Sequence, residues 1–287
     1  MKKILIICLL AALFLGGCAA PPQSEDTEIL TAFYPLYIMT LNITDGVEGV
    51  TVSCMASQQT QCLHDYQLST ADMRKMSRCD VLIINGGMEE FLTRAMEALP
   101  DLVTVSATDG MDLLADEDEV NVHCWLSPAY HAQMIRNITD GLCALDPAHA
   151  AQYRANAADY IAELNALSRE IRTALAPVRG AQVICFHEAF AYLAAEAGVE
   201  VAATVENEHG ALVSAKELKE TVALARSADC VLWAASENDT IARTVARESG
   251  KKLALIDPCT AGEADRHAYL GAMYRNISII KEAFSLA

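Results

Sequence analysis

Basic residues are scarce in this chain. Lys and Arg number 21 against 38 Asp and Glu, a formal charge of −17 over 287 residues. So acidic a surface repels a phosphate backbone, which argues against nucleic acid as a partner and weakly suits a cation. The sequence also lacks a CxxC repeat, an HxH pair and a nucleophile elbow. His187-Glu188 opens as HE, but Ala191 stands where the second histidine of HExxH would fall, so no hydrolase motif is complete. No repeat recurs at a fixed short period. Neither Gly nor Pro interrupts the thirty residues from Pro147 to Ala176.

The N-terminus carries an address. Lys2 and Lys3 precede an apolar run from Ile4 to Leu15, too short to span a bilayer as a mature helix. The run ends in Leu15-Gly16-Gly17-Cys18, which resembles the bacterial lipobox. That resemblance implies cleavage after residue 17, a lipid anchor on Cys18 and an extracytoplasmic, membrane-anchored protein. Residues 18–27 are small, polar and proline-containing, a tether. Of ten cysteines, Cys8 leaves with the leader and Cys18 is the anchor. The other eight form no small-domain disulfide framework, and mostly free thiols with at most one bridge are expected.

The 147–176 stretch organises the rest. Asp146 precedes it as a candidate N-cap and Pro147 suits the first helical position. Tyr153, Ala157, Tyr160, Leu164, Leu167, Ile171 and Leu175 keep one apolar stripe. At 1.5 Å per residue the helix is a rod of about 45 Å. On each side, short apolar strands alternate with helical patterns. Before it come GVTVSCMA, CDVLIING and DLVTVSA; after it come AQVICF, VEVAAT, DCVLWAA and KKLALIDP. The expected fold is α/β, two lobes with mainly parallel sheets joined by one long bridging α-helix. The expected boundaries are 28–145 for the first lobe, 146–177 for the helix and 178–287 for the second.

In parallel sheets, ligands collect beyond the carboxyl ends of strands. His187 directly follows AQVICF and Asp257 directly follows KKLALI, while His64 and His123 lie in loops after GVTVSCMA and DLVTVSA. Three imidazoles and one carboxylate would complete a tetrahedral shell, best matched to Zn²⁺. Spacing alone does not decide, because a single histidine is more often a surface or core residue than a ligand.

Four motifs resemble those of the metal-binding solute-binding proteins of zinc and manganese ABC transporters (the ZnuA/TroA-like family). LHDYQLSTADM resembles the PHDYEPTP-like first-ligand motif and carries His64. NVHCWLSP resembles NPHVWLDP and carries His123. FHEAFAYLA resembles SHDAFGYLA and carries His187, and LALIDP resembles the final strand ending in LDP and carries Asp257. The resemblance runs from about Ile29 to the C-terminus. It implies a metal buried between the lobes and a non-enzymatic carrier, expected as a monomer, that captures Zn²⁺ and delivers it to an ABC permease.

Some positions depart from the pattern. The first motif lacks the family's prolines, and the acidic loop before His123 (Asp112, Asp116, Glu117, Asp118, Glu119) is short and holds no histidine. Manganese-preferring members usually place Glu where His187 stands, and a third nitrogen favours Zn²⁺ over Mn²⁺, which stays as the alternative. Glu188, one residue further along a strand, is expected to point away. Cys62, Cys124 and Cys185 flank ligand positions and are expected to pack rather than ligate. His209 lies in a loop, and His131, His149 and His267 receive no role. A secreted zinc hydrolase, with Asp257 as general base, and an adhesin with a structural metal are the competing readings.

Overall fold

A computed structural model describes residues 26–56, 66–116, 119–205, 214–228, 230–235 and 240–286. The first half opens with β1 (Thr27–Thr31), α1 (Tyr34–Ile43), β2 (Val50–Cys54), α2 (Thr70–Met76) and β3 (Val81–Ile84). A 3₁₀ turn leads into α3 (Thr93–Glu97), followed by β4 (Val103–Ser106). The four strands form one wholly parallel sheet in the order β2-β1-β3-β4. The acidic segment before His123, expected as a loop, contains a two-residue antiparallel pair, β5 (Ala115–Asp116) with β6 (Glu119–Val120).

Two long helices follow, α4 (Pro128–Leu145) and α5 (Ala150–Ala174). The second half holds β7 (Gln182–Cys185), α6 (Phe190–Ala197), β8 (Glu200–Thr204), α7 (Ala215–Ser227), β9 (Cys230–Ala235), α8 (Thr240–Ser249), β10 (Leu253–Ile256) and α9 (Ala268–Ala283). Its sheet is also wholly parallel, in the order β10-β9-β7-β8. The strand order reverses between β1 and β3 in one sheet and between β7 and β9 in the other. These switch points are where parallel sheets leave a crevice for a ligand.

Local signals in the sequence set several boundaries. Ser69 and Ser214 each close a capping box, with Asp72 and Glu217 as reciprocal partners. Gly198 ends α6 in the left-handed conformation, φ 71°, which a residue without Cβ adopts cheaply. The bridging helix is shorter than its sequence suggests, 25 residues or about 37 Å. Residues 147–149 form a turn instead of its first helical turn. The Asp146 carboxylate accepts from His149 Nδ1 at 2.6 Å and from the Tyr153 hydroxyl at 2.8 Å, closing the turn before the helix begins.

The stripe on α5 is buried as the spacing predicts: Tyr153, Ala157, Tyr160, Leu164, Leu167 and Ile171 all lie in the core. It packs on α1 and α4 from one half and on α6 and α9 from the other. Core residues of both sheets and of this helix belong to one contiguous apolar cluster; a smaller one lies under α7 and α8. Cys54, Cys79, Cys124, Cys143 and Cys185 are free thiols, in keeping with the composition.

One polar joint sits inside this apolar contact. Glu196 of α6, its side chain 3% exposed, accepts from Ser127 Oγ at 2.5 Å and Ser168 Oγ at 2.6 Å. Arg172 of α5 donates to the same carboxylate through Nε at 2.9 Å and through its terminal nitrogen at 2.8 Å. A buried carboxylate that loses its cation costs more than an exposed pair contributes. Arg172→Ala is therefore expected to lower the unfolding free energy by about 2 kcal/mol, with both serine hydroxyls still in place. Urea unfolding at neutral pH measures this; an unchanged midpoint would mean the joint carries no load.

Candidate metal centre

His123 stands in a loop tied down at several points. Asn85, at the end of β3, donates through Nδ2 to Val122 O at 3.0 Å, and the Tyr192 hydroxyl donates to Asn121 O at 2.7 Å. Asn121 Oδ1 accepts the His123 backbone N–H at 3.0 Å, a side-chain turn that Asn forms readily. A 3₁₀ turn, Cys124–Leu126, follows, and Ser127 then caps α4 with Pro128 at its first position. These constraints leave His123 only 3% exposed.

His187 comes from the other lobe. β7 stops at Cys185, and residues 186–189 turn before α6 starts at Phe190. The turn is pinned by Phe186 N–H to Trp233 O at 2.8 Å and by Ala189 N–H to His187 Nδ1 at 3.0 Å. The two imidazoles meet edge to face, with ring centroids 5.0 Å apart and planes at 86°. Two histidines 64 positions apart, on loops from separate sheets, thus share one locus.

Asp257 sits directly after β10 as expected. Asn276 fixes its backbone from both sides: Oδ1 accepts the Asp257 N–H and Nδ2 donates to its carbonyl, each at 2.9 Å. Its side chain accepts from Cys259 N–H at 2.8 Å and lies 3.5 Å from the Arg275 guanidinium. One residue on, Pro258 O accepts from Trp125 Nε1 at 3.0 Å, which ties this loop to the one that carries His123. Asp257 also lines a cavity of about 390 Å³ with Tyr34, His131, Cys259, Glu263 and Arg275. His64, Cys62, His209 and Cys18 lie outside the described residues. Among the described residues no three His, Cys, Asp or Glu side chains group as a metal shell.

The chain matches, over residues 29–283, the family described as ZnuA, zinc-uptake complex component A, periplasmic. It belongs to that family. The zinc-binding lipoprotein AdcA of Streptococcus pneumoniae serotype 4 is 28% identical over an alignment 308 positions long, gaps included; 98% of this chain is covered but 61% of AdcA, so the chain spans about three fifths of that relative. The high-affinity zinc uptake system protein ZnuA of Bacillus subtilis is 25% identical, with 92% of this chain and 90% of that protein covered. Among solved structures, the solute-binding protein FpvC of Pseudomonas aeruginosa in complex with Mn²⁺ superposes with a TM-score of 0.82 at 29% identity, covering 91% of this chain and 99% of that one. The Zn(II)-bound ZnuA-like domain of S. pneumoniae AdcA gives 0.77 at 26% identity, covering 90% and 98%.

In this ZnuA-family chain Glu188 does not point away. Its Oε1 lies 3.1 Å from His123 Nδ1, and its carbonyl accepts from Asn121 Nδ2 at 2.9 Å. The strand has ended before His187, so the alternation of side chains along a strand no longer applies there. Asn121 also belongs to this contact, and its signal in the sequence is an Asn two residues before a histidine, ahead of a Ser-Pro helix start. Cys124 and Cys185 pack as expected. Cys124 Sγ lies 3.5 Å from Met134 Sδ, and burial pushes both thiols up to about 12.

His131 has a place after all. It is fully buried, with Nδ1 3.4 Å from Trp125 O, Nε2 3.4 Å from the Tyr160 hydroxyl and its ring 4.0 Å from that of Tyr269. It therefore props the loop that follows His123. Burial pulls its pKa from 6.5 down to about 3. The folded state thus refuses a proton that the unfolded chain accepts below about pH 6.5, so this contribution is present above that pH and is lost as pH falls toward 3. Stability is expected to decline by up to about 1.4 kcal/mol per pH unit below 6.5 from this group alone. His131→Phe should flatten the decline measured by urea unfolding between pH 7 and pH 5; parallel profiles for the two proteins would contradict it.

Proposed function

We propose that this chain captures Zn²⁺ outside the cytoplasm and hands it to an ABC permease, with His64, His123, His187 and Asp257 as the metal ligands. The observation that carries the reading is the His123–His187 pair, two imidazoles from separate lobes with ring centroids 5.0 Å apart. Nitrogen-rich ligation suits Zn²⁺, and four protein ligands leave no open position for a reacting water. The protein is thus a binding protein and not an enzyme. In this reading Cys18 carries the lipid anchor, residues 18–27 form the tether, and lobes 28–145 and 178–287 flank the bridging segment 146–177, whose helical part is Ala150–Ala174. The carrier acts as a monomer at the outer face of the membrane.

The continuous core and the Trp125–Pro258 bond oppose wide separation of the lobes. Release then runs through local movement of the ligand loops, triggered where the permease meets them. Mn²⁺ is the second reading. It is favoured by the Glu188 carboxylate beside His123, an oxygen donor that would suit a harder ion if it entered the shell.

Competitive titration against a chromophoric chelator separates these readings. The wild-type protein should prefer Zn²⁺ to Mn²⁺. His123→Ala, His187→Ala and Asp257→Ala should each weaken Zn²⁺ binding by about 100-fold or more, since each removes a ligand outright. His149→Ala should bind as the parent does. Undiminished affinity in both His123→Ala and His187→Ala would remove this site.

A further inference from the structure

We infer that Glu188 is a positioning residue for the metal site, holding His123 in the tautomer and orientation that present Nε2 to the ion; the inference rests on the site proposed above. His123 Nδ1 is faced by two oxygens, Glu188 Oε1 at 3.1 Å and Asn121 Oδ1 at 3.2 Å. The Asn121 amide cannot be reversed without loss. Its Oδ1 accepts the His123 backbone N–H at 3.0 Å while its Nδ2 donates to Glu188 O at 2.9 Å. Both neighbours of Nδ1 are therefore acceptors. A neutral imidazole satisfies them only with its proton on Nδ1, which leaves the lone pair on Nε2. A carboxylate on the far nitrogen of a metal-binding histidine fixes the ring's tautomer and orientation.

The attachment is double and crosses between lobes. Glu188 touches the His123 loop through its side chain at His123 and through its main chain at Asn121. It is also the immediate neighbour of His187. A single residue thus fixes one imidazole while its peptide continues from the other, so the spacing of the pair is set before the ion arrives. Its partial exposure, 31%, keeps the carboxylate in contact with water while His123 is 3% exposed. The charge is thus held beside a buried ring without the full cost of burial.

The test compares Glu188→Ala and Glu188→Gln by competitive Zn²⁺ titration, with the visible absorption of the Co²⁺-loaded proteins and the melting temperature of the metal-free ones. His123→Ala and His187→Ala run in the same assay. Glu188→Ala is expected to lose about 10- to 100-fold in affinity. Glu188→Gln, whose Oε1 still accepts from Nδ1–H, should recover most of that loss. Both should keep the parent's Co²⁺ bands and metal-free melting temperature. If Glu188→Gln binds as poorly as Glu188→Ala and its Co²⁺ spectrum changes, Glu188 is a ligand and the inference is overturned. Parent-like affinity in Glu188→Ala, or a loss in both variants that follows a fall in metal-free melting temperature, overturns it too. Should the two histidine variants bind like the parent, the site itself fails; should they lose binding while Glu188→Ala does not, only this inference fails.

Discussion

The elements that carry the two imidazoles are joined at a buried carboxylate that touches neither ring. Glu196 receives Ser127, the cap of α4, together with Ser168 and Arg172 of α5. Ser127 ends the loop that carries His123, and Glu196 lies on the helix that begins just after the His187 turn. Each imidazole is thus a few residues from an element that ends on the same buried group. The hydroxyls and the guanidinium satisfy a charge that would otherwise be unaffordable in an apolar junction, and in doing so they index two loops to one rod. The apolar stripe of α5 supplies the adhesion, while the polar joint supplies the register.

In the proposed function, that arrangement lets a carrier work without a wide hinge. Core residues of both sheets merge into one cluster through α5. Around Asp257 the lobes are further stitched by Trp125 to Pro258 O and by the Tyr34 hydroxyl to Glu263 O at 2.8 Å. Gly262 is forced by this contact, because a Cβ there would come within 2.4 Å of the Tyr34 hydroxyl oxygen. The proposed ligand set, mounted on such a frame, has little freedom to sweep open, which leaves movement to its loops.

Much of this was legible in the residues. The strand runs and the stripe of α5 each rest on a local rule, and each lies where that rule puts it. The positions of His187 and Asp257 just beyond strand ends were legible for the same reason: both directly follow apolar runs. Other features depend on contacts distant in sequence. Asp146 was readable as a helix cap, yet its bonds to His149 and Tyr153 make a turn and delay α5 to Ala150. Glu188 departs from the period-two expectation because β7 ends at Cys185, three residues before it. The roles of Asn121, His131 and Glu196 arise only when three or four elements meet, and no spacing along the chain announces them.

The most direct check of the central claim is anomalous diffraction at the zinc edge from crystals of the zinc-loaded protein. A single strong peak is predicted between the lobes, about 2.0–2.1 Å from one ring nitrogen of His123 and one of His187, and about 2.0–2.2 Å from an Asp257 carboxylate oxygen. A peak bound to one lobe alone, or one far from the His123–His187 pair, would contradict the account.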